Sequence, residues 1–325
     1  MSTESVQPGR AGTLASRLDI GVALVLLGCV ALVLIGSLVN PAFLTAKYLL
    51  QQFQIAAFIG IIATGSMFVI LLGEIDLSIP WTITSTAIII TSFAGSDSAL
   101  AQACAVPVGI LAGLLIGCIN GIGIALFRIP SMVWTLAINA MLLGATVFYT
   151  GGFKPHGVAP QISIDLALGR TLGIPNALIT WLVVAAVAIW VLKRTIYGVY
   201  LYAMGNSQKA LFLAGTRVRL VTIGTFALAG AMTTFGGLLL TGYANQAYQG
   251  MGDAYLLPAI TAVVIGGTSI QGGKGSYIGT FAGSLFITLL SSILSVLQMT
   301  EASRQVIFGA IILAMLLIHR PRSRN

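Results

Sequence analysis

The feature that most constrains this chain is where it carries no charge. Long stretches contain no Lys, Arg, Asp or Glu, among them 21–46, 48–73, 77–96, 98–127, 129–153, 171–192, 220–252, 275–300 and 305–319. A helix needs about 20 apolar residues to cross a hydrocarbon core of about 30 Å, and each stretch is that long or nearly so. Backbone polar groups inside a bilayer must be satisfied within the segment, which favours helices. With 57% apolar and only 7% charged residues, the chain is far from the make-up of a soluble domain. An all-α integral membrane fold follows.

Cutting the chain at charges, Gly/Pro breaks and aromatic residues predicts about ten transmembrane helices, near 20–39, 54–72, 79–94, 105–127, 131–150, 176–192, 220–241, 256–268, 278–297 and 303–319. Residues 1–19 are polar and read as a flexible cytoplasmic tail, 20–319 as one transmembrane domain, and 320–325 as a second cytoplasmic tail. The run at 20–39 is too long for a signal-peptide core and ends in Asn40-Pro41, so it is expected to remain as the first span. With both termini inside, twelve of the 16 basic residues fall on inner loops, and Lys47, Lys154, Arg170 and Arg304 fall outside. This is the positive-inside pattern. It accounts for the net charge of +8 without a nucleic-acid partner.

Some local patterns have more than one reading. Tyr48, Trp81, Trp134, Tyr149, Trp181 and Trp190 lie near predicted span ends and suit either a headgroup belt or packing. Gly109, Gly113, Gly117 and Gly121 form a stripe that lets a backbone approach closely, within the chain or across a dimer. Cys29, Cys104 and Cys118 lack metal-ligand spacing and read as small buried residues, so no metal is expected. Two apolar runs end in related breaks, at 72–78 and 265–271. Interrupted helices at corresponding places point to a transport path.

The polar residues near these breaks are the first candidates for function. Glu74 and Asp76 are the only acids between Asp19 and Asp97, and a carboxylate at membrane depth is a functional candidate by default. The local alternative is that Asp76 or Ser78 caps the third helix, with Pro80 in its first turn. The segment 267–275, GTSIQGGKG, misses the phosphate-loop spacing. No HExxH, GxSxG or Ser/His/Asp arrangement is evident, and His156 and His319 fall on opposite sides of the predicted membrane. No cofactor is expected in this chain. On the longest inner loop, 193–219, Asn206 and Ser207 can cap a short helix through Ala214 that Gly215 ends. That helix would expose Leu211 and Phe212, for docking a protein or for lying among headgroups of membrane lipids.

Three stretches then resemble one family. They are GEIDLSIP at 73–80, YGVYLYAMGNSQKALFLAGTRVRLV at 197–221 and VVIGGTSIQGGKGSYIGTFAGSLFI at 263–287. Their order and spacing are similar to those of the permease subunits of ribose-, xylose-, arabinose- and galactose-type importers of the ATP-binding cassette (ABC) class. Glu74 stands where the family commonly has a second Gly, and Gln208, Lys209 and Leu211 also depart from its usual residues.

The resemblance implies a bacterial inner-membrane permease paired with a second copy or a near-copy. It implies a separate ATPase that binds ATP and Mg and grips the 206–214 helix through Asn206, Ser207, Gln208, Lys209, Leu211, Phe212 and Gly215. It also implies a periplasmic sugar-binding protein on the outer face, where Lys47, Lys154 and Arg170 would meet it. Glu74, Asp76, Asn120, Asn139, Thr268 and Gln271 are candidates for the translocation path. Other cargo (an autoinducer, a polyol, a nucleoside or an amino acid) fits the same frame. An ion-coupled carrier would instead use Glu74 and Asp76 as ion ligands.

Overall fold

A computed structural model describes residues 11–152 and 157–318. Lys154, His156, His319 and, in the tails, Arg10, Arg320, Arg322 and Arg324 lie outside the described residues. The order is α1 (Ala11–Val39), a 3-10 turn (Pro41–Leu44), α2 (Ala46–Leu71), α3 (Ile79–Ala94), α4 (Ala99–Ala125), α5 (Ser131–Thr150), α6 (Gln161–Leu168) and a two-residue hairpin of β1 (Arg170–Thr171) with β2 (Ile174–Pro175). There follow α7 (Asn176–Arg194), α8 (Ile196–Asn206), α9 (Gln208–Leu213), α10 (Val218–Ala244), a 3-10 turn (Asp253–Tyr255), α11 (Leu256–Ile265), α12 (Tyr277–Val296) and α13 (Glu301–Ile318).

Each predicted span falls on one helix, because a charge-free apolar run in lipid has no cheaper way to satisfy its backbone. Among the described residues, seven helices are long and apolar enough to cross a bilayer: α1 over Gly21–Val39, α2, α4, α5, α7, α10 and α12. Two predicted spans are shorter than a full crossing, α3 with 16 residues and α11 with 10. α1 begins at Ala11, so helix replaces the second half of the predicted flexible tail.

α2 is apolar on all faces and forms the centre, with nearly every residue from Ala56 to Leu72 buried. The glycine stripe of α4 is resolved as a seam within the chain. A Cβ at Gly113, Gly117 or Gly121 would overlap Thr234, Phe226 or Ile223 of α10, and one at Gly109 would overlap Ile90 of α3. Small residues thus bring α4 and α10 into backbone contact. Of the predicted belt residues, Trp181 is fully buried and stacks on Phe281 at 3.9 Å, and Trp81 is buried, whereas Trp190 and Tyr149 face outward.

α5 is a ruler for depth. Its 20 residues span about 30 Å at about 1.5 Å each, the thickness of the hydrocarbon core. Its polar residues Ser131, Thr135, Asn139 and Thr146 share one face and bind the chain as it leaves the first break. Ser131 Oγ accepts from Ile75 N–H (3.2 Å), Thr135 Oγ1 from Leu77 N–H (2.9 Å) and Asn139 Oδ1 from Trp81 N–H (3.2 Å), and Thr146 pairs with Ser85 (2.8 Å). Ser131, Thr135 and Asn139 satisfy backbone donors that a helix interruption leaves open. α3 therefore starts inside the membrane, reached by an extended stretch.

Candidate coupling site at the broken helix ends

Both breaks close in the same way. At the end of α2, Gly73 has φ +82°, its N–H reaches Ile70 O (2.9 Å), and Glu74 N–H reaches Val69 O (3.3 Å). At the end of α11, Gly267 has φ +86°, its N–H reaches Val264 O (2.9 Å), and Thr268 N–H reaches Val263 O (3.2 Å). Each is a Schellman cap, which requires a left-handed residue and therefore favours glycine. The resemblance between the two stretches in sequence is a shared cap in structure.

The two breaks also touch. Gly273 N–H donates to Leu71 O at 2.9 Å. The end of α8 is wedged between them: a Cβ at Gly205 would overlap Leu71 O and Gly273 N. Asn206 Nδ2 donates to Gly273 O (3.1 Å) and Tyr202 O (2.7 Å), and the Tyr202 hydroxyl donates to Gly275 O (3.1 Å). Asn206 is therefore the last residue of α8 and binds the second break; it does not cap the following helix. That cap is Ser207, whose Oγ accepts from Ala210 N–H at 3.2 Å. The short helix itself is Gln208–Leu213, within the expected 206–214.

α9 ends in a third cap of the same kind. Gly215 has φ +81°, Gly215 N–H bonds Phe212 O (3.0 Å), and Thr216 N–H bonds Leu211 O (3.3 Å). Phe212 is 67% exposed, as expected, but Leu211 is only 8% exposed and belongs to the core. The expectation of two exposed apolar residues is thus corrected. A six-residue helix turns one of two adjacent side chains inward, and Leu211 is the one that anchors α9 to the bundle.

Beside Phe212 lies a cleft of about 1340 Å³. Its walls bring together α9, the turn between α4 and α5, the start of α10 and Glu74 from the first break. Arg128, Lys209, Arg217 and Arg219 line it and are exposed. None forms an ion pair; the pair Arg304–Glu301, at 3.3 Å, is the one salt bridge among the described residues. Residues assigned to separate inner loops in sequence thus share one face.

Asp76 is buried and does not cap α3. Its Oδ1 accepts from the N–H (2.8 Å) and hydroxyl (2.6 Å) of Ser78, and Ser78 takes the N-cap position without a side-chain cap bond. The Ser78 hydroxyl in turn accepts from Asn120 Nδ2 (2.8 Å). Asp76 lies two residues before the N-cap position, too early to reach the first free N–H groups of the helix, so it folds the approach turn instead. Asn120 and Asn139 are both bound within the chain, and the Oδ1 of Asn120 has no partner. Thr268 is buried with its hydroxyl unpartnered, and Gln271 is exposed on the second break.

Lys47 in the first turn of α2 and Arg170 in the hairpin are exposed. Sequence reasoning missed the α5 ladder, whose polar residues at 131, 135, 139 and 146 carry a readable helical spacing. It also missed Gly205, which no sequence period marks. Among the described residues no group of three His, Cys, Asp or Glu side chains is placed to hold a metal.

Known proteins bear directly on this arrangement. A family model described as branched-chain amino acid transport system / permease component matches residues 48–316. The ribose import permease protein RbsC of Haemophilus influenzae is 34% identical over 292 residues, covering 89% of this chain and 90% of the relative. RbsC of Bacillus subtilis is 35% identical, covering 91% and 92%. RbsC of Escherichia coli K12 is 31% identical, covering 98% of both. No solved structure matches the chain. The matched region runs from the first turn of α2 to the last turn of α13 and includes both breaks, α9 and the cleft, so the chain belongs to this family of transport-system permease components.

Proposed function

We propose that the chain is one membrane-spanning half of an ATP-driven importer for a monosaccharide, spanning the bacterial inner membrane about ten times with both termini inside. The observation that carries this reading is the junction at one end of the molecule. There α8 is wedged between two broken helices and continues directly into an exposed docking helix. A separate ATPase, which binds ATP and Mg, would seat against Phe212 in the basic cleft and present acidic and apolar groups to it. Displacement of α9 would pass through Gly205 and Asn206 to Leu71 and Gly273, shifting both breaks together.

The named relatives support a monosaccharide as cargo, since all three carry ribose in their names. A periplasmic binding protein would deliver it to the face that holds Lys47 and Arg170, and a second permease copy would complete the path. Hydrolysis of ATP is assigned to the partner, and this chain acts as a transport subunit. The test is Phe212→Asp at normal membrane abundance, which places an unpaired charge in an apolar contact. ATPase co-purification and sugar-stimulated ATP hydrolysis are expected to be lost. Wild-type values for both would put the coupling site elsewhere and leave α9 as a helix lying in the headgroups.

A further inference from the structure

The connection between α10 and α11 does not stay at the outer surface. Its first part is tied to the outer end of α5, where Gln249 Nε2 donates to Gly152 O (2.7 Å) and to the Thr150 hydroxyl. By Gly252 the chain has descended. Gly252 N–H donates to Thr84 Oγ1 (3.3 Å), and its Cα packs so tightly on the Pro80 carbonyl that a Cβ would overlap it. Neighbouring residues of α3 are bound to α5 at known heights: Trp81 at Asn139, about 12 Å from the Ser131 end, and Ser85 at Thr146, about 22 Å from it. Gly252 thus lies near mid-membrane. The length of α11 agrees, since 10 residues cover only about 15 Å on the way to the second break.

Asp253 follows immediately. It is the only acidic residue between Asp165 and Glu301, it is exposed, and among the described residues its carboxylate has no hydrogen bond or ion pair. Tyr243 (45% exposed) and Tyr248 (42% exposed) precede it in the chain, and the half-buried Tyr255, two residues after it, is within electrostatic range of both and of Glu301. A carboxylate at this depth cannot face lipid cheaply. A second identical copy offers it no cation from the middle of a helix, because among the described residues the basic side chains stand on connections or within two turns of a helix end. Water and a polar solute remain.

We propose that Asp253, with Tyr248 and Tyr243, is a mid-membrane contact site for a neutral polyhydroxylated cargo. The site deepens the monosaccharide reading above and rests on it. A carboxylate accepts hydrogen bonds from two neighbouring hydroxyls of one sugar ring. The phenols offer an apolar face to the C–H groups of the sugar and a hydroxyl at the rim. The carboxylate disfavours an anionic cargo, and a neutral one follows from the monosaccharide reading.

The experiment uses the full transporter, with its ATPase and binding protein, in proteoliposomes and with Cys29, Cys104 and Cys118 replaced by Ser. Asp253→Cys is expected to react with a membrane-impermeant thiosulfonate added from outside, and ribose-loaded binding protein should slow that reaction. Met141→Cys, on the exposed flank of α5 at similar depth, should stay unlabelled as a lipid-facing control. Labelled D-ribose uptake should fall about tenfold or less in the near-isosteric Asp253→Asn and about a hundredfold in Asp253→Leu, with binding-protein-stimulated ATP hydrolysis retained. An unreactive Asp253→Cys would mean that lipid or the second copy covers the residue, and would overturn the site. Wild-type ribose uptake by Asp253→Leu would do the same, leaving a water-facing residue with no cargo contact. If the unmutated transporter moves no monosaccharide, the cargo reading itself fails, an outcome distinct from either result on Asp253.

Discussion

Two residues separate what holds the fold from what the fold does. Asn139, a candidate for the path on sequence, accepts the backbone N–H of Trp81. Removing that acceptor leaves a donor of α3 unsatisfied, at about 1–3 kcal/mol. Asn139→Ala is expected to lower the thermal midpoint of the detergent-purified protein, and Asn139→Asp, which keeps an acceptor, to lower it less. An altered sugar preference at unchanged stability would return Asn139 to the path. Gly215 acts differently, because a Cβ there would meet open space while its φ of +81° disfavours any side chain. Gly215→Ala should cost about 1 kcal/mol locally. It should weaken ATPase docking while membrane abundance stays normal, as measured by co-purification.

At the level of elements, legibility followed the length of the repeating pattern. α3 and α5 begin and end where charge and Gly/Pro breaks predict, because tens of residues of apolar sequence leave the backbone one option. α9 is under two turns and offers no period to read, so Leu211 and Phe212 look equivalent in sequence while one is buried and the other exposed. The descent of the chain to Gly252 was hidden for the same reason, since the polar run after α10 looks like an ordinary outer loop. The two breaks were visible as an echo, and their contact through Gly205 was not, because it joins segments 67 residues apart or more. If α8 transmits motion, Gly205→Ala should wedge the junction open. ATP hydrolysis and ATPase docking should persist while sugar transport falls at least tenfold, because the drive would no longer reach the breaks. Gly224→Ala, on α10 with nothing near its Cβ, should change neither. Parallel loss of hydrolysis and transport in Gly205→Ala, with docking intact, would argue against a transmitting role.

For the whole molecule, the exposed basic residues Arg128, Lys209, Arg217 and Arg219 gather on one face with both breaks nearby, which matches the side the positive-inside pattern assigns to the cytoplasm. Cysteine at Ser207 should therefore be protected from an impermeant reagent in intact cells, and cysteine at Ser98, in the N-cap of α4, should react. Labelling of Ser207 from outside would invert the topology and separate the cleft from any cytoplasmic ATPase. In the function proposed above, ATP spent by a partner drives this chain, and its buried Asp76 and half-buried Glu74 are not ion ligands. The most direct measurement is uptake of labelled ribose by energised cells carrying the chain, treated either with an uncoupler that collapses the ion gradients while ATP is maintained or with ATP depletion while the gradients are maintained. Uptake that survives the uncoupler and stops on ATP depletion is the predicted result; uptake that stops with the uncoupler and survives ATP depletion would contradict it and make the broken helices those of an ion-coupled carrier.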